Sequence, residues 1–404
     1  MQTSLEDKYA HQIIPFAWPK GYSSDGVHAG LREDRNDMGW IFSEVPAQAA
    51  GTYTTNQFQA APTKLTKNTI NQDHKLQAVI MNSANANSCT GKQGDEDALT
   101  SQKLVADKLN IDANLVGVAS TGIIGEMLPM DIIKKGISEL KLTDNKEVTT
   151  AILTTDKHAK TISVQLDIDG TPVTISGFCK GSGMIHPKMA TMLGFVVTDA
   201  KVQDGLLQEM LSKEVDTTFN QITVDGDTST NDMVVTMANG LANNAEITKS
   251  SSDYSNFVEA FHAVLAELAK DIASDGEGAT KLVEVNVKNA ANHDDAQKVS
   301  KAIVGSNLVK SAIFGEDPNW GRIVAAIGQT DAKVDIDHTS IWLNKLPLVE
   351  NSHGAGFDEA EMKNALSSNK ITILVDLNSG SSEGQAWGCD LTYNYVRINA
   401  SYSS

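Results

Sequence analysis

The sequence predicts a mixed α/β fold in which sheets are covered by helices. Short apolar runs end at Asn, Ser or Gly, some segments alternate apolar and polar residues, and others repeat apolar residues at helical spacing. These signals alternate along all 404 residues without a strict strand–helix–strand repeat. A chain of this length is expected to form two to three domains.

The first elements are predicted between residues 77 and 119. Residues 77–81 form an apolar run that stops at Asn82, which is typical of a buried strand ending in a loop. Leucines and Val105 at helical spacing predict a helix over 97–109. A second short strand is predicted over 115–119, and it ends at Ser120.

A hairpin is predicted next, because residues 162–168 and 173–178 both alternate and Gly170 lies between them. A strand over 193–197 and helices over 206–215 and 256–271 follow. Strands are predicted over 284–287 and 371–377, and we expect a smaller C-terminal α/β subdomain from about residue 285 to residue 404.

Composition excludes several classes of protein. Hydrophobic residues make up 41% and charged residues 21%, which predicts an ordinary soluble globular protein. The net charge of −18 argues against a nucleic-acid or an anionic membrane partner. The charge is uneven, since residues 1–190 carry 18 basic and 21 acidic side chains, and residues 191–404 carry 15 and 30.

The cysteines and histidines predict neither a disulfide framework nor a metal site. Cys89, Cys179 and Cys389 are far apart, and the nine histidines are scattered without metal-ligand spacing. The N-terminus lacks a secretory signal, and no apolar stretch is long enough to cross a membrane. We therefore expect a cytoplasmic protein without a metal or another cofactor.

The segment from Lys180 to Leu193 carries the strongest chemical signal. It is a glycine-rich loop with a proline that leads to Ala190-Thr191. A threonine hydroxyl is a weak nucleophile, but an N-terminal threonine can use its own α-amine as the base. Thr191 lies within the chain, so this chemistry would require cleavage of the bond that precedes it.

Several other polar loops follow predicted strands or helices, and a shared site at one edge of a sheet would explain their number. In Ser120-Thr121-Gly122, a hydroxyl and a glycine N–H could together bind an oxyanion, although a plain turn explains the same residues. Glu277 lies between two glycines and could bind an ammonium group or belong to a helix end. The remaining loops are 82–87, 225–232 and 315–322.

These motifs together resemble the ornithine acetyltransferase family, the glutamate N-acetyltransferases of the cyclic arginine pathway. The resemblance covers nearly the whole chain, and long matching segments carry it. They are 83–91, 120–125, 180–193, 226–232, 275–281, 315–322 and 389–400. Lys157 departs from the pattern, because the family usually has threonine there.

The resemblance implies a precursor with an α/β sandwich core that cuts itself between Ala190 and Thr191. Residues 1–190 would become the α chain and residues 191–404 the β chain, which would stay together, typically as α2β2. Thr191 would be the nucleophile, and Thr121 and Gly122 the oxyanion hole. The implied substrate-binding residues are Thr154, Lys180, Thr191, Glu277, Asn399 and Ser404.

The implied reaction moves an acetyl group from N-acetylornithine to glutamate through an acetyl-threonine intermediate. The sequence leaves open whether acetyl-CoA is a second donor. Two rival hypotheses remain at this stage. An N-terminal-nucleophile aminopeptidase or amidase would share the cleavage and the covalent step, and a binding protein without activity would keep one intact chain.

Overall fold

A computed structural model describes residues 11–186 and 192–401, and within them the chain forms two sheets with helices packed on them. The first sheet has nine strands and the second has six. The strands are β1 (His11–Ile14), β2 (Tyr22–Val27), β3 (Met38–Tyr53), β4 (Lys75–Asn82), β5 (Val116–Ser120), β6 (Lys160–Ile168), β7 (Thr171–Lys180), β8 (Leu193–Thr198), β9 (Met233–Ala238), β10 (Leu282–Ala290), β11 (Ser340–Leu343), β12 (Leu346–Glu350), β13 (His353–Gly354), β14 (Lys370–Asp376) and β15 (Ser382–Cys389). The α-helices are α1 (Ala61–Asp73), α2 (Gly91–Leu109), α3 (Met130–Glu139), α4 (Val148–Ala151), α5 (Leu206–Thr217), α6 (Tyr254–Ser274), α7 (His293–Gly305), α8 (Asn307–Phe314), α9 (Trp320–Gly328), α10 (Glu359–Leu366) and α11 (Tyr393–Ser401).

The long strand β3 joins two halves of the first sheet, whose order is β1-β6-β7-β8-β9-β3-β4-β5, with β2 also paired to β3. Residues 38–43 of β3 pair with β2, and residues 48–53 pair with β9. The pairing of β3 with β4 shifts register between Phe42 and Ala47. A bulge of this kind bends a strand and increases its twist, so β3 passes from one half of the sheet into the other.

The two halves face each other and enclose the central core. Ile41 and Val79 from one half share a buried cluster with Phe178 and Phe195 from the other. Side chains alternate along each strand, so the neighbouring Cys179 and Val196 pack outwards against α5 and α6. Outward residues of β3, β4 and β5 pack in the same way against α2 and α3. The predicted α/β sandwich is therefore confirmed, with two sheet layers between two helix layers.

The second sheet builds the C-terminal part of the chain. Its order is β13-β12-β11-β14-β10-β15, and it has its own core with α7 to α10. Trp387 of β15 belongs instead to the core under α6, and its carbonyl accepts a hydrogen bond from Thr223 N–H at 3.1 Å. The last helix, α11, buries no residue, and Asn399 near its end donates a hydrogen bond to Glu277 in the connection between α6 and β10.

The helices and strands predicted from periodicity all occur. The predicted helix over 256–271 lies within α6, whose buried residues include Phe257, Phe261 and Leu265. The predicted hairpin corresponds to β6 and β7, joined by a turn in which Gly170 has a φ of +80°. No helix in residues 11–186 and 192–401 is both long and apolar enough to cross a membrane.

Candidate active site

A cavity of about 200 Å³ lies where β5 and β7 end and β8 and β9 begin. It gathers side chains or backbone from six of the predicted site residues: Thr121, Gly122, Thr154, Lys180, Glu277 and Asn399. Met192 and Leu193 also line it. Ala190, Thr191 and Ser404 lie outside the described residues. The cavity therefore adjoins the residues that directly follow Thr191 in the chain.

Thr121 and Gly122 form a tight turn against Ala84. Gly122 has a φ of +136°, and a side-chain carbon there would lie 2.1 Å from the carbonyl carbon of Ala84. Only glycine fits this position, for both reasons. The turn is fixed by hydrogen bonds from Thr121 N–H to Asn82 O and from Ile123 N–H to Ala84 O, both at 3.0 Å.

Asparagine side chains stabilise this turn through hydrogen bonds. Asn82 accepts a hydrogen bond from the Ser120 hydroxyl at 2.6 Å and donates to the carbonyl of Asn85 at 2.9 Å. Asn85 in turn donates to the carbonyls of Glu126 and Met127. The loop over 82–87 therefore supports the site without lining the cavity in the described part of the chain.

Lys180, at the end of β7, fixes the orientation of the Thr121 hydroxyl. Its side chain is buried, and Nζ donates a hydrogen bond to Thr121 Oγ1 at 3.1 Å. Burial lowers the pKa of Lys180, whereas the negative charges of Asp156 and Asp232 oppose that shift. Because Thr121 Oγ1 accepts from Lys180, the proton of its own hydroxyl is available to donate to another group.

Asp156 connects the Thr154 loop to the glycine-rich segment. Its carboxylate accepts hydrogen bonds from Gly181 N–H at 2.7 Å and from Thr154 N–H at 3.0 Å. Burial would raise the pKa of Asp156, but Lys160 and Lys180 outweigh it and lower that pKa to about 2. Asp156 is therefore a buried carboxylate that stays ionised.

Lys160 is fully buried and bridges two carboxylates. Its Nζ donates to Asp156 Oδ1 and to Asp275 Oδ2, both at 2.7 Å. Burial alone would lower the pKa of Lys160, but these carboxylates raise it. Asp275 also accepts from Lys157 N–H at 3.0 Å, and its carbonyl accepts from the Ser182 hydroxyl at 2.7 Å. This charged network lies beneath the cavity and joins three of its loops.

Glu277 and Asn399 form another wall of the cavity. Glu277 N–H donates to Ser182 O at 2.9 Å, and Asn399 Nδ2 donates to Glu277 Oε2 at 2.7 Å. A side-chain carbon at Gly183 would lie 2.3 Å from the Glu277 carboxyl carbon. Glycine at 183 therefore permits Glu277 to lie directly against the segment that precedes the predicted cleavage site.

Comparison with known proteins identifies the family. The model of the ArgJ family matches residues 23–404. The arginine biosynthesis bifunctional protein ArgJ of Lactiplantibacillus plantarum is 60% identical over 402 residues, which cover 100% of both chains. That of Oceanobacillus iheyensis is 54% identical over 386 residues, 95% of each chain. The chain belongs to the ArgJ family. It is therefore an acyltransferase of arginine biosynthesis, and the recognised family resemblance is confirmed.

A solved ArgJ structure agrees with this fold. The arginine biosynthesis bifunctional protein ArgJ of Bacillus halodurans is 52% identical, with a TM-score of 0.52. The whole of that solved chain aligns with 52% of the present chain.

Two features of this site are not predicted from the sequence. The network around Lys160 is one of them, and Asp232 is the other. Asp232 lines the cavity at the start of β9 and is 3% exposed. It lies at the end of the 225–232 loop, directly before β9 begins at Met233. The sequence alone does not distinguish it from the other acidic residues of that loop.

Besides the 82–87 loop, a second predicted loop does not line the cavity. Among the described residues that line it, none comes from 315–322, so this part of the shared-site prediction is wrong. Glu316 instead accepts a hydrogen bond from Lys281 Nζ at 2.9 Å, on the C-terminal part of the chain. In residues 11–186 and 192–401, no three His, Cys, Asp or Glu side chains are grouped so that they could hold a metal ion.

Proposed function

We propose that this chain transfers the acetyl group of N-acetylornithine to glutamate, with Thr191 as the acetyl carrier. One observation carries the proposal: the cavity contains Thr121 and Gly122 and is lined by Met192 and Leu193, which directly follow Thr191. A nucleophile, oxyanion donors and substrate-binding side chains would then share one site. The product pair would be ornithine and N-acetylglutamate.

In the first half-reaction, the Thr191 hydroxyl attacks the acetyl carbon while its α-amine takes the proton. An α-amine with a reference pKa of about 7.7–8.0 can act as a base near neutral pH. The Thr121 hydroxyl and Gly122 N–H bind the oxyanion, and the proton passes to the leaving α-nitrogen of ornithine. Acetyl-Thr191 remains, and its ester bond preserves the acetyl group for transfer.

In the second half-reaction, the neutral α-amine of glutamate attacks the same carbon. The Thr191 oxygen leaves and regains a proton, and N-acetylglutamate departs. We assign Lys180 to a substrate carboxylate, and Glu277 with Asn399 to a substrate ammonium group, because opposite charges pair in a buried cavity. Thr154 and Ser404 complete the proposed substrate contacts.

The same residues would produce the free amine. In the uncut chain, the Thr191 hydroxyl would attack the carbonyl carbon of Ala190, and the peptide bond would become an ester with release of the Thr191 amine. Water would then hydrolyse the ester. The solved Bacillus halodurans chain aligns with 52% of the present chain. Residues 191–404 form a similar share of it, which supports such a division.

Three finer features belong to the same proposal. The two products would remain associated as α2β2, and the protein would act in the cytoplasm. The names of both relatives describe them as bifunctional. On that basis we propose acetyl-CoA as a second acetyl donor.

The Thr191→Ala variant tests the proposal directly. We expect the wild type to give two bands on a denaturing gel and to form N-acetylglutamate from N-acetylornithine and glutamate. The variant should give one band and no transfer, since it lacks the hydroxyl. Thr161→Ala, which changes an exposed threonine on β6, is the control and should behave as the wild type.

Two results would contradict the proposal. Cleavage of the Thr191→Ala chain at the same bond would exclude Thr191 as the cleaving nucleophile. Release of acetate by the wild type without formation of N-acetylglutamate would instead establish a hydrolase.

A further inference from the structure

Asp232 is a buried carboxyl group that the proposed reaction does not yet use. It is 3% exposed, and its Oδ2 has no hydrogen-bond partner among the described residues. Burial raises the pKa of Asp232 well above its usual range, while hydrogen bonds from Ser229 and the charge of Lys180 oppose the shift. Buried polar atoms are nearly always paired, so an unpaired carboxyl oxygen in a residue that lines a cavity points to a ligand as its partner.

The other carboxylates around the cavity already have partners. Asp156 accepts hydrogen bonds from Lys160 and Gly181, and Glu277 accepts one from Asn399. Asp232 lines the cavity and differs from both in having a buried oxygen without a hydrogen-bond partner among the described residues.

Hydrogen bonds place Asp232 at the end of the cavity that contains Thr121. The preceding residue, Asn231, donates through Nδ2 to Ser120 O at 2.8 Å and to Ala86 O at 2.6 Å. The following residue, Met233, donates through its N–H to Met192 O at 2.9 Å. Asp232 is thus held between the turn that contains Thr121 and the first residues of β8.

We propose that Asp232 is a further substrate-binding residue, and that its free oxygen accepts a hydrogen bond from the α-ammonium group of glutamate and of ornithine. This inference rests on the proposed function. The α-nitrogen is the atom bonded to the acetyl carbon during transfer, so it must lie beside the oxyanion donors. In N-acetylornithine this nitrogen is an uncharged amide, which binds a carboxylate more weakly than an ammonium group does.

Asp232 then acts mainly on the amino acids that carry a free α-amine. Acetylation of Thr191 by N-acetylornithine depends little on it. Binding of glutamate depends on it strongly, because the positive charge of the α-ammonium group favours the ionised form of the buried carboxyl group, and asparagine at this position cannot supply the negative charge. The size of such an interaction corresponds to about a 10- to 100-fold change in affinity.

The test separates the two half-reactions in the Asp232→Asn variant. With N-acetylornithine alone, mass spectrometry and a rapid ornithine assay should show one acetyl group on the β chain and a normal burst of ornithine. With glutamate added, the KM for glutamate should rise about 10- to 100-fold. In calorimetry, ornithine should bind more weakly by the same factor. Asp227→Asn, in the same loop but exposed, is the matched control.

Other results would overturn the inference. An unchanged glutamate KM and unchanged ornithine affinity would exclude contact with the α-ammonium group. An equal loss in both half-reactions would assign Asp232 to general positioning of the site. If the wild type formed no acetyl-enzyme, the proposed function would fail, whereas the ornithine calorimetry would still decide the role of Asp232.

A ligand pair makes the test independent of the variant's folding. Wild-type protein is titrated with glutamate and with 2-hydroxyglutarate, which has a hydroxyl in place of the α-ammonium group. We expect glutamate to bind at least about 10-fold more tightly. Equal affinities would overturn the inference.

Discussion

At the scale of single residues, the proposed oxyanion donors Thr121 and Gly122 depend on contacts that orient them. Gly122 can adopt its φ of +136° and approach Ala84 only because it has no side chain. The Thr121 hydroxyl accepts from Lys180 Nζ, so its proton is left for a substrate. Lys180 therefore has a positioning role toward Thr121 in addition to the substrate contact that we propose.

Thr121→Val should remove one oxyanion donor and keep the shape of the side chain. We expect kcat for acetyl transfer to fall about 100- to 1000-fold, with a small change in KM, because the lost hydrogen bond strengthens in the transition state. Steady-state kinetics with N-acetylornithine and glutamate measure both constants. Self-cleavage should slow as well, and a denaturing gel over time would follow it. A rise in KM at constant kcat would contradict this role.

At the scale of elements, the buried charges of Asp156, Lys160 and Asp275 connect the loops around the cavity. The Asp156 carboxylate accepts hydrogen bonds from the backbone N–H groups of Thr154 and Gly181. The Asp275 carboxylate accepts one from Lys157 N–H, and the Asp275 carbonyl accepts one from the Ser182 hydroxyl. Removing one member of a buried ion pair typically costs about 3–5 kcal/mol, because the remaining charge is left without a partner. The network therefore links the stability of β6 and α6 to the geometry of the site.

The network predicts a specific loss of stability in acid. The pKa of Asp156 is about 2 in the folded chain and about 3.9 when unfolded. A depressed folded pKa stabilises the protein above the unfolded value, and this contribution disappears as the pH falls from about 4 to 2. We expect Asp156 to contribute about 2–3 kcal/mol to this decline.

Urea unfolding between pH 2 and pH 6 would measure that contribution. Asp156→Asn should be less stable at pH 6 and should lose less stability toward pH 2 than the wild type. Asp131→Asn, at a fully exposed acid, is the control and should follow the wild-type curve. Parallel curves for Asp156→Asn and the wild type would contradict the assignment.

The sequence predicts elements where local periodicity decides them. Helix α6 is an example, since its buried face follows from the spacing of Phe257, Phe261 and Leu265. Strand β3 is not predicted, because its 16 residues change sheet partners midway and Glu44-Val45-Pro46 interrupts the alternation. The bend of β3 is determined by the two layers it joins.

The resemblance of motifs predicts the site residues, but it does not predict the buried network of Asp156, Lys160 and Asp275. Lys160 begins a strand of alternating pattern, where a lysine usually indicates an exposed position. Its second partner, Asp275, is 115 residues away in the sequence. Only the folded chain brings together one lysine and two acids whose separate positions carry no chemical signature.

At the scale of the whole molecule, the predicted cleavage divides the first sheet without dividing its core. Strands β8 and β9 follow Thr191, and every residue of both is buried. They lie between β7 on one side and β3 on the other, and both of these precede Thr191. In the predicted products, β8 and β9 of the β chain would form a pair whose outer edges are hydrogen-bonded to β7 and β3 of the α chain.

This arrangement predicts that the two cleavage products remain in one particle. We expect them to elute together in size-exclusion chromatography of the native protein, because separation would expose the central core and the edges of β7 and β3. In urea, anion exchange should separate them, since residues 1–190 carry 18 basic and 21 acidic side chains against 15 and 30 for residues 191–404. Neither separated chain should regain native circular dichroism alone, whereas their mixture should. Native elution as two independent species would show that the sheet does not hold the products together.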